Sequence, residues 1–258
     1  MKYGLIILLL WAFPLSVPQN FRPASRETCE KTKVFTAHNV VAWSFVSRPQ
    51  AFFYKSGLAI DADGAFRAYH PNSRLGLDSL NHAGHEGNWW ALVTENEKPS
   101  GRPVVQLDSD PAPGFYVSTT ALYNRDNRNP RDPHRYVDAA TIPYVVLHPV
   151  ALNYAKLGDF ATVVNLQNGR VSAAIVADVS ASNLPVGEGS IALAQALGID
   201  ASPRTGGKDG DVVYLVYAQS GNSRPRKLEE IVTNANQLFD AWGGIDRLNA
   251  CASGAEPK

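Results

Sequence analysis

The sequence predicts a mainly β protein with a few helices, folded as a single domain. The chain has 258 residues, of which 45% are hydrophobic and 19% charged, so one sizeable core can form. Valine, tyrosine, threonine, glycine and proline are plentiful, and short apolar runs alternate with turn residues, which is typical of many short strands. Apolar residues at helical spacing occur in only two places, so helices are expected to be few.

The charge balance excludes some classes of partner. The formal net charge is +0 at pH 7, so no overall field attracts nucleic acid or an anionic membrane surface. We therefore expect neither of these partners, and we expect the folded protein to be a monomer.

The N-terminal segment has the character of a secretory signal peptide. Lys2 precedes an unbroken apolar stretch, Leu5–Phe13, which is too short to span a bilayer comfortably. We expect a signal peptide over residues 1–17 and secretion to the extracellular space, without stable membrane insertion. No small-x-small cleavage site follows, so the cleavage position stays open, and an uncleaved N-terminal anchor is the alternative.

The chain has two cysteines, Cys29 and Cys251, one near each end of the expected folded region. In a cytosolic protein they would be two free thiols without a particular role. In an oxidising compartment we expect them to pair and to tie the two ends of the domain together.

The first half of the chain contains two strand signals and then a long loop-rich region. Residues 34–46 have strand character, and their expected core face consists of Val41, Trp43 and Phe45. The apolar run 57–60 leads into Asp61-Ala62-Asp63-Gly64, which predicts a tight turn with two carboxylates. This turn lacks the further oxygen ligands of a calcium loop. Residues 70–135 are expected to be mostly loops.

The second half is easier to assign. Strands are predicted at residues 142–147, 160–166, 170–177 and 212–217. Asn168-Gly169 separates two of these runs and is the strongest hairpin signal in the chain. The longest helical pattern follows Arg224-Pro225 and ends at Trp242-Gly243-Gly244.

Two acids in the stretch 173–198 are candidates for catalysis. A continuous apolar run typical of a buried strand ends at Asp178. A polar loop follows, and a helical pattern then begins beside Glu188 and ends at Gly198. Two acids on rigid elements, separated by a pliable loop, could perform general acid and base catalysis. Strand ends and helix starts also carry acids for structural reasons, and both interpretations stay open here.

Other chemistries find little support in the sequence. His82 and His85 have no further zinc ligands nearby and are predicted to be surface or hydrogen-bonded residues. Ser190 does not lie in a nucleophile elbow, and Gly187–Gly189 is not followed by the lysine of a phosphate loop. We therefore predict no metal and no cofactor. Several aromatic residues could line a sugar cleft, although such residues are more often core: Trp43, Trp89, Trp90, Tyr69, Tyr116 and Tyr144.

An ordered set of motifs points to one family. The set consists of the segments 59–64, 142–147, 174–178, 187–195 and 211–214. In this set the sequence resembles the chitosanases of glycoside hydrolase family 75. The family shows an Asp at a strand end and a Gly-Glu-Ala/Gly-Ser-Ile segment, whose Asp and Glu are its two catalytic carboxylates. The cysteine of the family's Asp-rich segment is Ala62 here, and residues 70–135 differ from the family.

The resemblance implies a fold and a function. It implies a family 75-like catalytic domain over residues 29–251, and the order strand, Asp, loop, helix is similar to double-psi β-barrels. The implied activity is endo-acting, inverting hydrolysis of chitosan, a β-1,4-glucosamine polymer, with Asp178 and Glu188 as catalytic residues. Glu188 is assigned as the acid and Asp178 as the base. The cationic substrate would be attracted by substrate-binding acids, namely Asp61, Asp63 and Asp138.

Two alternatives stand beside this interpretation. The enzyme could hydrolyse another amino-sugar polymer, such as peptidoglycan or partly acetylated chitin. The chain could also be a non-catalytic barrel that binds cell-wall carbohydrate.

Overall fold

The computed structural model describes residues 29–252, and every structural statement below concerns this part of the chain. The signal peptide predicted for residues 1–17 lies outside the described residues. Within them, no helix combines the length and apolar character needed to cross a membrane.

The described residues form a closed β-barrel with additional strands and three α-helices. The elements in chain order are β1 Lys31–Ala37, β2 Val40–Phe45, β3 Ala51–Asp61, β4 Gly84–His85, β5 Asn88–Trp89, β6 Tyr144–Leu147, β7 Phe160–Asn165, β8 Arg170–Val179, β9 Glu188–Ser190, α1 Ile191–Leu197, β10 Lys208–Tyr217, α2 Leu228–Trp242 and α3 Gly244–Arg247. Eight strands follow the order β1-β2-β3-β10-β7-β8-β6-β9, and an additional pairing of β3 with β9 closes six of them into a barrel. The predicted single-domain, mainly β barrel is confirmed.

The barrel is not an up-and-down meander. Two pairs are parallel, β3 with β9 and β6 with β8. Parallel neighbours need long crossover connections, and these connections carry the loops that surround the site described below. The double-psi topology stays a prediction.

Strand β10 lies at the centre of the fold because it is apolar along its whole second half. Residues 212–217 are all buried between β3 and β7, as expected for an apolar run without alternation. Tyr214 lies opposite Tyr54 of β3, and their rings stack with centroids 4.9 Å apart. This stack fills one level of the core.

The hairpin of β7 and β8 is confirmed. Asn165 pairs with Arg170, and Gly169 in the connecting turn has a φ of 71°. This left-handed conformation is the reason for a glycine at this position.

The strand character of residues 34–46 is confirmed, but the expected core face was wrong at two of its three residues. The segment is a hairpin of β1 and β2 that reverses at His38. Its buried residues in β2 are Ala42, Ser44 and Phe45, whereas Val41 and Trp43 are partly exposed. The alternation rule failed because it ignored the small side chains, although Ser44 is satisfied in the core by donating to the carbonyl of Ala51 at 2.7 Å.

Both predicted helices form and end at glycines. Helix α1 ends at Gly198, with a φ of 65°, and α2 ends at Gly243, with a φ of 117°. Helix α2 covers the barrel with one apolar face, formed by Ile231, Ala235, Phe239 and Trp242. Two further apolar residues of this helix, Leu228 and Val232, are exposed.

A disulfide joins the two ends of the described chain, as predicted. Cys29 and Cys251 are 222 positions apart in sequence, and their Cα atoms lie 5.2 Å apart. The bond links the residues before β1 to the π-helical turn Leu248–Ala252.

Removing this disulfide should destabilise the domain strongly. The double substitution Cys29→Ala and Cys251→Ala releases a loop of 222 positions, for which the chain-entropy model gives about 5 kcal/mol. We expect a lower midpoint of guanidinium unfolding for the double variant, and reduced wild-type protein should shift in the same way. Equal midpoints for oxidised wild type and the double variant would contradict this expectation.

Candidate active site

Strand β6 lies between the strands that carry Asp178 and Glu188 and aligns the two acids with each other. Its residue Val146 is in register with Asp178 of β8 on one side and with Glu188 of β9 on the other. Two interstrand spacings of about 4.7–4.9 Å separate the Cα atoms of the two acids by roughly 9–10 Å. Residues in register on adjacent strands share a face of the sheet, and both acids line one cavity of about 710 Å³.

A β-bulge brings Asp178 to this position. The register of β6 against β8 shifts between Val145 and Val146, so that Val146 faces Asp178 and Ala177 is skipped. Bulges often redirect a side chain beside an active site. The skipped Ala177 accepts a hydrogen bond at its carbonyl from the backbone of Leu122 at 2.8 Å. The loop before residue 123 is therefore anchored beside Asp178.

Glycines on both sides of Glu188 let three backbones meet. A Cβ at Gly187 would lie 2.5 Å from the carbonyl oxygen of Gly57, and one at Gly189 would lie 2.7 Å from that of Tyr144. Only glycine fits such approaches without a backbone shift. The Gly-Glu-Gly sequence is therefore required by the insertion of β9 between β3 and β6.

The local position of Glu188 differs from the sequence expectation. The residue lies in β9 rather than at a helix start, because Ser190 is the cap of α1 and accepts from the backbone N–H of Leu193. Burial raises the pKa of Glu188 to about 8, and repulsion from Asp61 and Asp178 adds to this effect. The carboxyl group of Glu188 thus keeps its proton at neutral pH.

Asp61 and Asp63 form a tight cluster with Asp178. One carboxylate oxygen of each lies within 4.8 Å of the others. Asp61 ends β3, and its Oδ1 accepts from the backbone N–H of Asp63 at 2.8 Å, which makes the predicted turn. The hydroxyl of Tyr69 donates to Oδ1 of Asp63 at 2.7 Å. The structure therefore places Asp61 and Asp63 in the same cavity as Asp178 and Glu188.

The cluster favours protonated carboxyl groups. Burial raises the pKa of Asp61 to about 6. It also raises the pKa values of Asp63 and Asp178 well above their usual range, and repulsion from Asp61 contributes to both. Two carboxylates a few ångströms apart in a buried site disfavour a second charge. The four acids therefore carry fewer than four negative charges at neutral pH.

Hydrogen bonding distinguishes Asp178 from Glu188. Oδ1 of Asp178 accepts from the backbone N–H groups of Val179 at 2.7 Å and Ala121 at 3.3 Å. Such donors favour the ionised form of a carboxyl group. No donor to the Glu188 carboxyl group is found within residues 29–252. Of the two acids, Asp178 is therefore better equipped to hold a negative charge.

Within the described residues, one group of acids could supply several ligands to a cation, namely Asp61, Asp63 and Asp178. Carboxylate oxygens suit hard cations, which take six or more oxygen ligands. Backbone N–H groups and the Tyr69 hydroxyl already occupy acceptor positions on these three residues. We assign no metal ion to the cluster.

The opposite wall of the cavity was not foreseen from the sequence. Asp78 is buried, and both of its carboxylate oxygens lie 2.9 Å from Nδ1 of His82. The guanidinium of Arg204 donates to the carbonyls of Gly76 and Asp78 at 3.0 and 2.8 Å, and it fastens this wall to the loop after α1. Arg204 also donates to Ser79 Oγ and to the carbonyl of Ser73. The predicted hydrogen-bonded state of His82 agrees with its contact to Asp78.

Trp90 lies where two cavities meet. Its indole N–H donates to the carbonyl of His82 at 2.9 Å, while 57% of the residue is exposed. A second cavity of about 380 Å³, lined by residues 119–121, shares Asp63, Trp90 and Asp178 with the first. The two cavities therefore adjoin each other at the Asp63 and Asp178 side chains. Among the other predicted cleft aromatics, Tyr69 lines the first cavity and Tyr144 is buried in the core.

Asp138 lies apart from these acids. Its carboxylate accepts from the backbone N–H of Ala140 and from the hydroxyl of Thr141, each at 2.9 Å. It is absent from the linings described for both cavities. These contacts explain Asp138 as a turn residue before β6, and its role in substrate binding stays a prediction.

Comparison with known families adds a finding of its own. Residues 108–241, more than half of the chain, match the family described as fungal chitosanase of glycosyl hydrolase group 75. The chain belongs to this family. The resemblance noted in the sequence is thereby confirmed, and this family 75 protein is a glycoside hydrolase. No curated protein matches the chain.

The matched residues contain only part of the cavity. They include Asp178, Glu188 and Arg204. The acids at the end of β3 and the wall that carries His82 and Trp90 precede the matched region. The family 75 enzyme thus builds its cavity from residues inside and outside the family match.

The buried proton of Glu188 should make stability depend on pH. The unfolded chain releases this proton near the ordinary value of 4.5, whereas the folded protein retains it up to about 8. Between these values the folded state loses stability as the pH rises. The variant Glu188→Gln lacks this loss. The melting temperature of the variant minus that of the wild type should therefore increase from pH 5 to pH 9. A gap that is flat or shrinks with pH would contradict the elevated pKa.

Proposed function

We propose that the protein is a secreted, endo-acting chitosanase that inverts configuration, with Glu188 as general acid and Asp178 as general base. One observation carries this proposal. Asp178 on β8 and Glu188 on β9 are both in register with Val146 of β6, the strand that lies between them. Membership of family 75 supports a chitosan-hydrolysing glycoside hydrolase.

Glu188 suits the role of general acid because its carboxyl group is protonated at neutral pH. Burial raises its pKa to about 8, which resembles the elevated pKa of other catalytic acids in glycosidases. In the proposed reaction its proton passes to the glycosidic oxygen as the bond to the anomeric carbon breaks. The leaving sugar departs with a neutral hydroxyl group.

Asp178 suits the base because two backbone N–H groups support its negative charge. Its pKa is nevertheless raised, by burial and by Asp61. The two backbone N–H groups oppose this shift and favour the ionised form that a general base requires. Asp178 would then take a proton from the water that attacks the anomeric carbon.

The register of the two acids supports inversion. Inverting enzymes hold their two carboxyl groups about 6.5–9.5 Å apart to admit a water molecule, whereas retaining enzymes hold them about 5–5.5 Å apart. The roughly 9–10 Å between the Cα atoms, with both side chains on one cavity, leaves room for the wider carboxyl separation. The carboxyl separation itself remains part of the proposal.

The cationic substrate explains why so many acids line one cavity. Glucosamine residues carry ammonium groups, and an anionic cleft raises their local concentration. We infer that Asp61 and Asp63 bind these amines, and we retain Asp138 as a weaker candidate because of its turn contacts.

Two further features support the finer parts of the proposal. Two cavities adjoin at Asp63 and Asp178, which supports a groove long enough to bind a polymer away from its ends, as an endo-acting enzyme requires. The disulfide between Cys29 and Cys251 supports secretion, because such bonds persist in oxidising compartments.

Removal of either proposed catalytic group should abolish turnover. Glu188→Gln and Asp178→Asn should each lower kcat on chitosan by ~10² or more, because general acid or base catalysis is lost. A matched control is Asp211→Asn, since Asp211 is exposed and paired with Lys55, and it should keep wild-type kcat.

The assay that checks this is reducing-end release from a panel of chitosans, chitin and peptidoglycan, with NMR of the first anomer formed. Turnover of peptidoglycan or chitin in preference to chitosan would identify another amino-sugar polymer as substrate. Binding without turnover in the wild type would indicate a non-catalytic barrel. Initial formation of the β-anomer would overturn inversion.

Asp61 should influence Glu188 as well as the substrate. Its charge is the largest contribution from another residue to the raised pKa of Glu188. Asp61→Asn should therefore move the basic limb of the kcat/KM profile to lower pH, because this limb reports the acid of the free enzyme. KM should also rise as an amine contact is lost.

Asp138→Asn provides the comparison for this measurement. If Asp138 binds substrate, its substitution should raise KM without moving the basic limb, since Asp138 does not contribute to the pKa of Glu188. A basic limb that is unmoved in Asp61→Asn would contradict the coupling between Asp61 and Glu188.

A further inference from the structure

The loop that joins Asp178 to Glu188 forms one wall of the larger cavity. It runs between β8 and β9, and four of its residues line the cavity: Ser180, Ala181, Asn183 and Leu184. Residues 181–185 are exposed. The strand register fixes the two ends of this loop, but it does not fix the middle.

Two histidines hold the middle of the loop at a single atom. The carbonyl oxygen of Ser182 lies 3.3 Å from Nε2 of His38 and 3.1 Å from Nε2 of His148. In the described structure, every hydrogen bond from residues 181–185 to another segment ends on this oxygen. The next bonds along the chain are at Ser180 and Val186, outside this stretch.

The bonding pattern determines which nitrogen of His148 carries the proton. A carbonyl oxygen only accepts, so Nε2 must donate. Nδ1 accepts from the backbone N–H of Val150 at 3.3 Å and caps the short helix Pro149–Asn153. The imidazole therefore acts in its neutral Nε2–H form and joins the cap of that helix to the loop.

His38 reaches the same oxygen from a different element. It is the turn residue between β1 and β2, with a φ of 48°, and its ring contacts that of His148 edge to face with centroids 5.6 Å apart. His148 directly follows β6, the strand that lies between the two acids. The loop is thus held from the outer hairpin and from the central strand of the site.

We propose that His38 and His148 are positioning residues that hold the 180–186 loop as a substrate-binding wall of the cavity. The proposal rests on the proposed function. Because β6 fixes the backbones of Asp178 and Glu188 independently, loss of the tether should affect the wall more than the acids. Substrate affinity should therefore suffer more than the chemical step.

Asparagine substitutions separate the tether from the other roles of the two histidines. His148→Asn keeps the cap of the short helix, because an asparagine side-chain oxygen accepts from the N–H two residues on, as Nδ1 of His148 does. His38→Asn keeps a residue that tolerates the left-handed conformation. Both shorter side chains fall short of the Ser182 oxygen.

The experiment compares wild type, His38→Asn, His148→Asn and the double variant. His134→Asn is the matched control, because His134 is exposed and absent from the linings of both cavities. We expect faster amide hydrogen exchange in residues 180–187 of the double variant, with smaller changes in the single variants. On a chitosan oligosaccharide, KM should rise by about tenfold and kcat should change by less than about threefold.

Each outcome decides a separate question. Unchanged exchange in the double variant would overturn the tether. Faster exchange with unchanged KM would overturn the positioning role. An equal rise in KM in the His134→Asn control would overturn it as well. The proposed function is tested separately by wild-type turnover: an inactive wild type would overturn that function and the positioning role with it, while the exchange data would still decide the tether.

Discussion

The site depends on the insertion of the three-residue strand β9 between β3 and β6. This insertion closes the barrel and places Glu188 in register with Val146 of β6, on the side of that strand opposite to Asp178. It is possible only because Gly187 and Gly189 allow neighbouring backbones to approach within distances that a Cβ would block. The same strand insertion therefore closes the barrel and sets the geometry of the candidate site, and a side chain at either glycine would disturb both.

Burial of the acids has opposing effects on stability and on chemistry. Desolvation is the largest cause of the raised pKa values of Asp61, Asp63, Asp178 and Glu188. Charged forms of such groups are costly in a folded interior, so the site opposes its own ionisation. The same effect supplies a protonated carboxyl group at neutral pH. Backbone donors then compensate selectively, at Asp178 and not at Glu188, and this difference separates the two proposed roles.

Local sequence signals predicted the features that depend on neighbouring residues. The hairpin at Gly169, the end of α1 at Gly198 and the turn after Asp61 all follow from backbone chemistry within a few residues. The pairing of the two cysteines was also predictable, because the chain contains only two. Asp178 and Glu188 could be proposed as candidates because each lies at the boundary of a clear local pattern.

Features that depend on distant partners could not be predicted in this way. Arg204 meets the wall around Asp78 across 126 positions of sequence, and His38 meets Ser182 across 144. Nothing in the local sequence of these residues identifies their partners. Glu188 was expected at a helix start, because the sequence does not reveal that a three-residue segment joins a sheet. The buried face of β2 was missed because Ala42 and Ser44 carry no strong apolar signal.

The bond between Cys29 and Cys251 makes the described domain a covalent ring. A single cut by a protease at any exposed loop within this ring leaves one molecule instead of two fragments. Exposed stretches such as residues 181–185 can thus be nicked without separation of the pieces that carry Asp178 and Glu188.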